Sequence, residues 1–168
     1  MILPKQDLLE RIAKEKLIED AVDLKEQVQP ASIDLTVEKV FSFSSKGQID
    51  FDNKERKLSE VKELLFDSNG WLDLAAGSYK VQFKEKVCVP KDAAGISITR
   101  SSLLRCSCHI PVGFWDPGYC GRGENMLIVQ NPFGIRIKKN SKIGQIIFVK
   151  LSSATSELYA GIHKNENI

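Results

Sequence analysis

Two stretches of this sequence concentrate residues able to do chemistry. Arg100-Ser101-Ser102-Leu103-Leu104-Arg105 packs two guanidiniums and two hydroxyls into six residues. Arginine offers a fixed fork of donors and serine adds short ones, an inventory suited to a polyanion such as phosphate. Gly113-Phe114-Trp115-Asp116-Pro117-Gly118-Tyr119 then puts one carboxylate on a turn. Pro117 fixes φ, Gly118 permits unusual φ, and Trp115 and Tyr119 flank the turn with large apolar faces. A phosphate grip followed by a positioned carboxylate points to hydrolysis or transfer on a phosphorylated small molecule. Alone, the first stretch reads as a helix start and the second as a turn. Their order within a β-rich chain carries the functional reading.

Composition narrows the classes. The 168 residues suit one domain with a sizeable core, and 42% hydrophobic with 27% charged residues is ordinary for a globular protein. A net charge of +2 is too small to imply nucleic-acid or membrane binding by bulk electrostatics. No apolar run approaches transmembrane length, and the N-terminus has no apolar signal core, so the chain is read as cytoplasmic. In that compartment Cys88, Cys106, Cys108 and Cys120 are expected as free thiols. Cys106-Ser107-Cys108-His109 fits no common zinc spacing; on a strand 105–110 the two cysteines would share a face. The His-x-Glu and Pro-Cys-x-x-Cys pattern of zinc deaminases is absent. His109 and His163 are read as surface or interface residues.

The elements that must position these residues follow from periodicity. Leu8, Leu9, Ile12 and Ala13 recur at helical spacing, which predicts an amphipathic helix over 6–14. Ile33, Leu35 and Val37 alternate with Ser32, Asp34 and Thr36, which predicts a strand with one polar face. Asp34 on that face is assigned a structural role, holding a core turn or an arginine. Residues 40–70 read as a variable lobe: a hairpin around 44–47, then a short helix within 54–66 from the spacing of Leu58, Val61, Leu64 and Leu65. From Trp71 onward, short strands over 79–83, 85–89, 96–99, 135–138 and 143–151 are separated by turns. Such spacing means a sandwich, jelly roll or barrel. No Walker loop or GxGxxG occurs.

Taken in order, QPASIDLTV (29–37), LAAGSYKVQFKEKVCVP (74–90), ITRSSLLR (98–105), FWDPGYCG (114–121), LIVQN (127–131) and KIGQIIFVKL (142–151) resemble the dCTP deaminase/dUTPase superfamily. The likeness spans about residues 28–160. It implies a mainly β, distorted jelly roll (a β-clip) with a short N-terminal helix and a small inserted lobe. It also implies a homotrimer with sites at subunit interfaces, and a deoxynucleoside triphosphate bound with Mg²⁺ on its phosphates. Residue by residue, Arg100, Ser101, Ser102 and Arg105 match the triphosphate-binding segment. Asp116 matches the carboxylate that meets the deoxyribose and activates water in members hydrolysing dUTP. Met126, Leu127 and Ile128 align with the strand that reads the base through its backbone. Gln145 matches a nucleotide-contacting glutamine, and Tyr159 a tail tyrosine near the substrate.

One departure decides the expected reaction. Members that deaminate dCTP carry a glutamate three residues before the asparagine of that strand, and here the residue is Ile128. Zinc-free deamination needs a side chain that shuttles protons and activates water, and isoleucine does neither. The nearest carboxylate, Glu124, lies four residues earlier, about 13 Å away at strand rise, and a bulge would be needed to bring it in. An archaeal subgroup with dUTPase activity has an apolar residue at this place, and the chain resembles that subgroup. The expectation is therefore dUTP hydrolysis, with dCTP deamination, alone or in a bifunctional enzyme, or a non-catalytic nucleotide-binding domain as alternatives. Two further departures are Gly121-Arg122-Gly123, which could bring Arg122 toward the phosphates, and a short flexible tail over 156–168 that closes the site differently or leaves it open.

Overall fold

The computed structural model describes residues 1–168. The alternating segment at 33–37 does form a strand, but both of its faces are buried, Asp34 and Thr36 included. This strand, β2 (Ile33–Phe43), is the spine of the molecule. Its first half pairs β13 (Lys142–Lys150), its second half pairs β5 (Gly77–Phe83), and the register shifts between Val37 and Lys39. The spine thus runs from one wing of a curled eight-stranded sheet into the other.

Around it lie β7 (Ala93–Thr99) and β9 (Gly113–Trp115) beyond β13, and β11 (Glu124–Val129) and β8 (Cys108–His109) beyond β5. The sheet order is β8-β11-β5-β2-β13-β7-β9, with β3 (Val61–Leu64) added to β2. A smaller sheet joins β1 (Ile18–Glu19), β6 (Lys86–Cys88) and β10 (Cys120–Gly121), and β4 (Trp71–Leu74) pairs β12 (Ile135–Lys138). Helices α1 (Lys5–Glu15), α2 (Leu24–Gln27) and α3 (Ser101–Arg105) are peripheral. The N-terminal helix agrees with its periodicity, burying Leu8 and ending on Lys16 in the left-handed region at φ 55°. Arg11 clamps it to the strand layer by gripping both oxygens of Asp92 at 2.7 and 2.6 Å. No helix is long and apolar enough to cross a membrane.

One hydrophobic core of 25 residues joins the two wings, with Leu35, Val37, Val81, Phe83, Leu127, Ile146 and Phe148 at its centre. Its buried carboxylate Glu85 is satisfied. Glu85, fully buried, accepts from Gln27 Nε2 at 2.7 Å, Thr36 N at 2.9 Å and Thr36 Oγ1 at 2.6 Å. Burial pushes the Glu85 carboxyl up, against the pull of those donors.

The lobe differs from its predicted form. Residues 61–64 are strand β3, not helix, because Val61 to Leu64 pair with Phe43 to Val40 along the edge of β2. An open sheet edge satisfies the backbone outright, whereas helical spacing only suggests a face. Leu58 and Leu65, half of that spacing, are exposed. The tight hairpin at 44–47 is absent too, and the chain makes a long excursion closed by a Gln48–Lys57 bridge.

The cysteines also depart from expectation. Cys88 and Cys120 are direct register partners of β6 and β10 and form a disulfide. Cys106 is exposed at the C-cap of α3 and Cys108 is buried in β8, so the two do not share a strand face.

Candidate active site

The DPGY turn hangs between β9 and β10. Gly118 adopts φ 86°, and Leu158 of the tail closes against it, so a side chain there would be strained as well as crowded. Asp116 stands exposed at the start of the turn, with no hydrogen-bond partner on its carboxylate. Beneath it, aromatic rings form a wall. Phe83 meets Trp115 at 6.2 Å between centroids, Trp115 meets Tyr119 edge-on at 5.2 Å, and Tyr119 meets Tyr159 at 5.9 Å. These contacts fix the base of the turn by large apolar area and preferred ring geometry.

The wall borders a cavity of about 220 Å³ that holds Asp116, Tyr159, Glu124, Asn125, His163 and Glu166 among its lining residues. The tail builds one side of it. Tyr159 N donates to Pro117 O at 2.8 Å, Asn165 N to Cys120 O at 2.7 Å, and Arg122 N to Glu166 O at 3.1 Å. The Glu166 carboxylate accepts the Tyr119 hydroxyl at 2.9 Å and meets His163 Nδ1 at 2.9 Å. Burial first, then Glu166, pushes the Tyr119 phenol far up, so it remains a donor. The tail therefore lies folded across the turn of the same chain. His163, read from sequence as a surface residue, lines the cavity, and Glu166 was not singled out at all. The local His-x-x-Glu spacing was the available signal.

The predicted phosphate segment lies elsewhere. Ser101, Ser102 and Arg105 are exposed on α3, which Leu103 anchors into the core. Arg100 and Gln145 instead meet at the buried Asp34 carboxylate, each 3.1 Å from Oδ1. None of Arg100, Ser101, Ser102, Arg105 or Gln145 lines the cavity that holds Asp116 and Tyr159. The chain thus carries two candidate half-sites. Arg122 belongs to neither: its guanidinium is held by Asp20 at 2.6 Å and by the Lys84 carbonyl.

The strand expected to read the base, β11, is regular. Glu124 through Val129 pair with Gln82 through Gly77 without a register shift, and Ile128 and Val129 also pair with His109 and Cys108. Leu127 is fully buried, while Met126 and Ile128 are half-buried on the opposite face. Neither Met126, Leu127 nor Ile128 lines the cavity, whereas Glu124 and Asn125 do. No bulge brings Glu124 to the place of Ile128. Both of its oxygens are occupied by Lys80 Nζ at 2.9 Å. The structure groups no three His, Cys, Asp or Glu side chains in a position to hold a metal ion.

A family model described as dCTP deaminase-like matches residues 2–151. A relative in Methanosarcina mazei, named a "probable deoxyuridine 5′-triphosphate nucleotidohydrolase", is 43% identical over 155 residues, covering 92% of this chain and 91% of the relative. The Methanococcoides burtonii protein of the same name is 39% identical over 168 residues, covering 99% of each. The deoxyuridine 5′-triphosphate nucleotidohydrolase of Methanocaldococcus jannaschii is 38% identical over 140 residues, 83% of this chain and 88% of the relative. Among solved structures, the 2′-deoxycytidine 5′-triphosphate deaminase of Agrobacterium tumefaciens superposes with a TM-score of 0.67 at 22% identity. That match covers 88% of this chain and 48% of the deaminase, and it speaks to the fold. With the family match running from the N-terminal segment through β13, across Asp116, Arg100 and the spine strand, the chain belongs to the dCTP deaminase-like family.

Proposed function

We propose that this protein is a dUTP diphosphatase, hydrolysing dUTP to dUMP and pyrophosphate. The observation that carries the reading is the regular β11 strand, with Ile128 where a deaminating member has its glutamate and Glu124 tied to Lys80. The archaeal relatives named for dUTP hydrolysis support it. In this reading Asp116 holds a water in line with the α-phosphorus and accepts its proton. The water oxygen bonds to that phosphorus, the bond to the α–β bridging oxygen breaks, and pyrophosphate leaves with the electron pair. Arg100, Ser101, Ser102 and Arg105 grip the phosphates and stabilise the developing charge. Gln145 contacts the nucleotide, β11 presents backbone groups to the base at Met126, Leu127 and Ile128, and Tyr159 covers the sugar side. Mg²⁺ enters with the triphosphate.

The working unit is a homotrimer of single-domain β-clip (jelly-roll) subunits, with the Asp116 half-site of one subunit completed by the arginine half-site of its neighbour. Leu104, Val112 and Phe114, exposed on the elements that bear the half-sites, support such a contact. Sedimentation should report a mass near three times 18.8 kDa; a monomer would leave each half-site unfinished. The decisive test is incubation with Mg²⁺ and either dUTP or dCTP, followed by product separation. We expect dUMP and pyrophosphate from dUTP, with dCTP untouched. No dUMP from dUTP would overturn the assignment, and any deaminated product from dCTP would mean that deamination survives without the usual glutamate.

A further inference from the structure

Two departures noted in the sequence meet in the structure: the Gly121-Arg122-Gly123 segment and the short tail after Tyr159. Gly121 ends β10, and Arg122 and Gly123 carry the chain into β11. The Arg122 guanidinium is gripped from two other elements. Nη2 meets the Asp20 carboxylate, just past β1, at 2.6 Å, and Nη1 donates to the carbonyl of Lys84, between β5 and β6. Arg122 keeps only 24% of its side-chain surface, so it is committed inward. Cys120, at the root of the segment, is held as well, through its disulfide to Cys88 of β6.

With its side chain pinned, this segment presents a fixed backbone edge, and the tail uses it. Asn165 N donates to Cys120 O at 2.7 Å, Arg122 N donates to Glu166 O at 3.1 Å, and Asn167 Nδ2 donates to Arg122 O at 3.0 Å. Both backbone polar groups of Arg122 are thus spent on the tail, which satisfies them where no strand partner does. Gly121 supplies the room, because a Cβ there would lie 3.0 Å from Glu166 O. Seated in this way, Glu166 accepts the Tyr119 hydroxyl at 2.9 Å, and Tyr159, His163 and Glu166 complete the lining of the cavity that holds Asp116.

We propose that Gly121-Arg122-Gly123 is the dock of the tail and that Arg122 is a positioning residue. By gripping Asp20 and the Lys84 carbonyl, it holds out the backbone on which residues 165–167 sit. The wall around Asp116 is then assembled before any nucleotide arrives, and a tail too short to wrap a ligand finds its seat in the protein itself. The ordering cost of the tail is met during folding and not on binding. Only the choice of dUTP as the nucleotide rests on the diphosphatase reading.

Amide hydrogen exchange on the nucleotide-free full chain tests the dock. The Asn165 N–H should be protected in wild type, and Arg122→Gln should speed its exchange about tenfold while amides of the β2–β13 ladder keep their rates. An unprotected Asn165 in wild type would overturn the proposal, and so would unchanged exchange in Arg122→Gln. Equal acceleration throughout the β2–β13 ladder would also overturn it, by making Arg122 a support of the whole fold. Should Arg122→Gln not fold, Asp20→Gly takes its place, since glycine keeps the φ of 59° at that position and removes only the carboxylate. Faster exchange at Asn165 alone would support the dock, and unchanged exchange would overturn it. With dUTP, Arg122→Gln should raise KM about tenfold and change kcat less than about twofold, because the tail must then be ordered at the binding step. A fall in kcat with KM unchanged would overturn the positioning role. A wild type that leaves dUTP intact yet shows the exchange pattern would refute the dUTP assignment and uphold the dock.

Discussion

Asp116 combines two properties that rarely coincide: a carboxylate without a partner, on a backbone turn held by aromatic packing and a folded tail. A free carboxylate on a rigid support can accept a proton without first breaking a bond. Asp116→Asn should therefore cut dUTP turnover at least about a hundredfold while leaving nucleotide affinity largely intact, read from steady-state kinetics beside calorimetry. Gly123 shows how closely the support is fitted, since a Cβ there would collide with the Trp115 ring. Gly123→Ala should cost about 1–3 kcal/mol in thermal unfolding and displace the indole, visible as a shift in tryptophan emission.

At the scale of elements, α1 owes its attachment to Arg11 and Asp92. The guanidinium holds the Asp92 carboxyl below its ordinary value of 3.8, so the pair stabilises the fold above that value and loses its contribution as pH falls through the depressed one. Asp92→Asn should lower stability by about 1 kcal/mol in denaturant titrations at pH 7, and the difference from wild type should shrink as pH falls below 3.8. The tail offers a second case. Glu166→Ala removes the acceptor shared by Tyr119 and His163 and should speed amide exchange at Arg122 and Asn165, whose N–H groups depend on the folded tail. These elements also mark what could be read in advance. Period-two alternation revealed β2, helical spacing revealed α1, and the proline–glycine signature revealed the turn at Asp116, because each follows from local sterics. Residues 54–66 misled, since helical spacing there was outweighed by a β2 edge 20 residues away in sequence. The Cys88–Cys120 register and the return of Glu166 to Tyr119 are pairings across the chain; no local pattern encodes the first, and only the His-x-x-Glu spacing of the tail hints at the second.

In the molecule as a whole, the curled sheet ties distant segments together, and the disulfide joins β6 to β10 of the smaller sheet across a separation of 32 residues. Chain-entropy arguments assign such a link about 3–4 kcal/mol, so reduction should lower the denaturation midpoint by that equivalent. A preparation indifferent to reductant would mean the thiols act independently. The largest consequence comes from the separation of Asp116 from Arg100. If a working centre draws its carboxylate from one subunit and its guanidinium from the next, two dead proteins can revive each other. Asp116→Asn and Arg100→Gln chains, each inactive alone, should complement when co-expressed in equal amounts, because a mixed ring contains one junction where both intact residues meet. Random assembly gives about one quarter of the wild-type centres, a value set by counting alone and independent of how the chemistry proceeds.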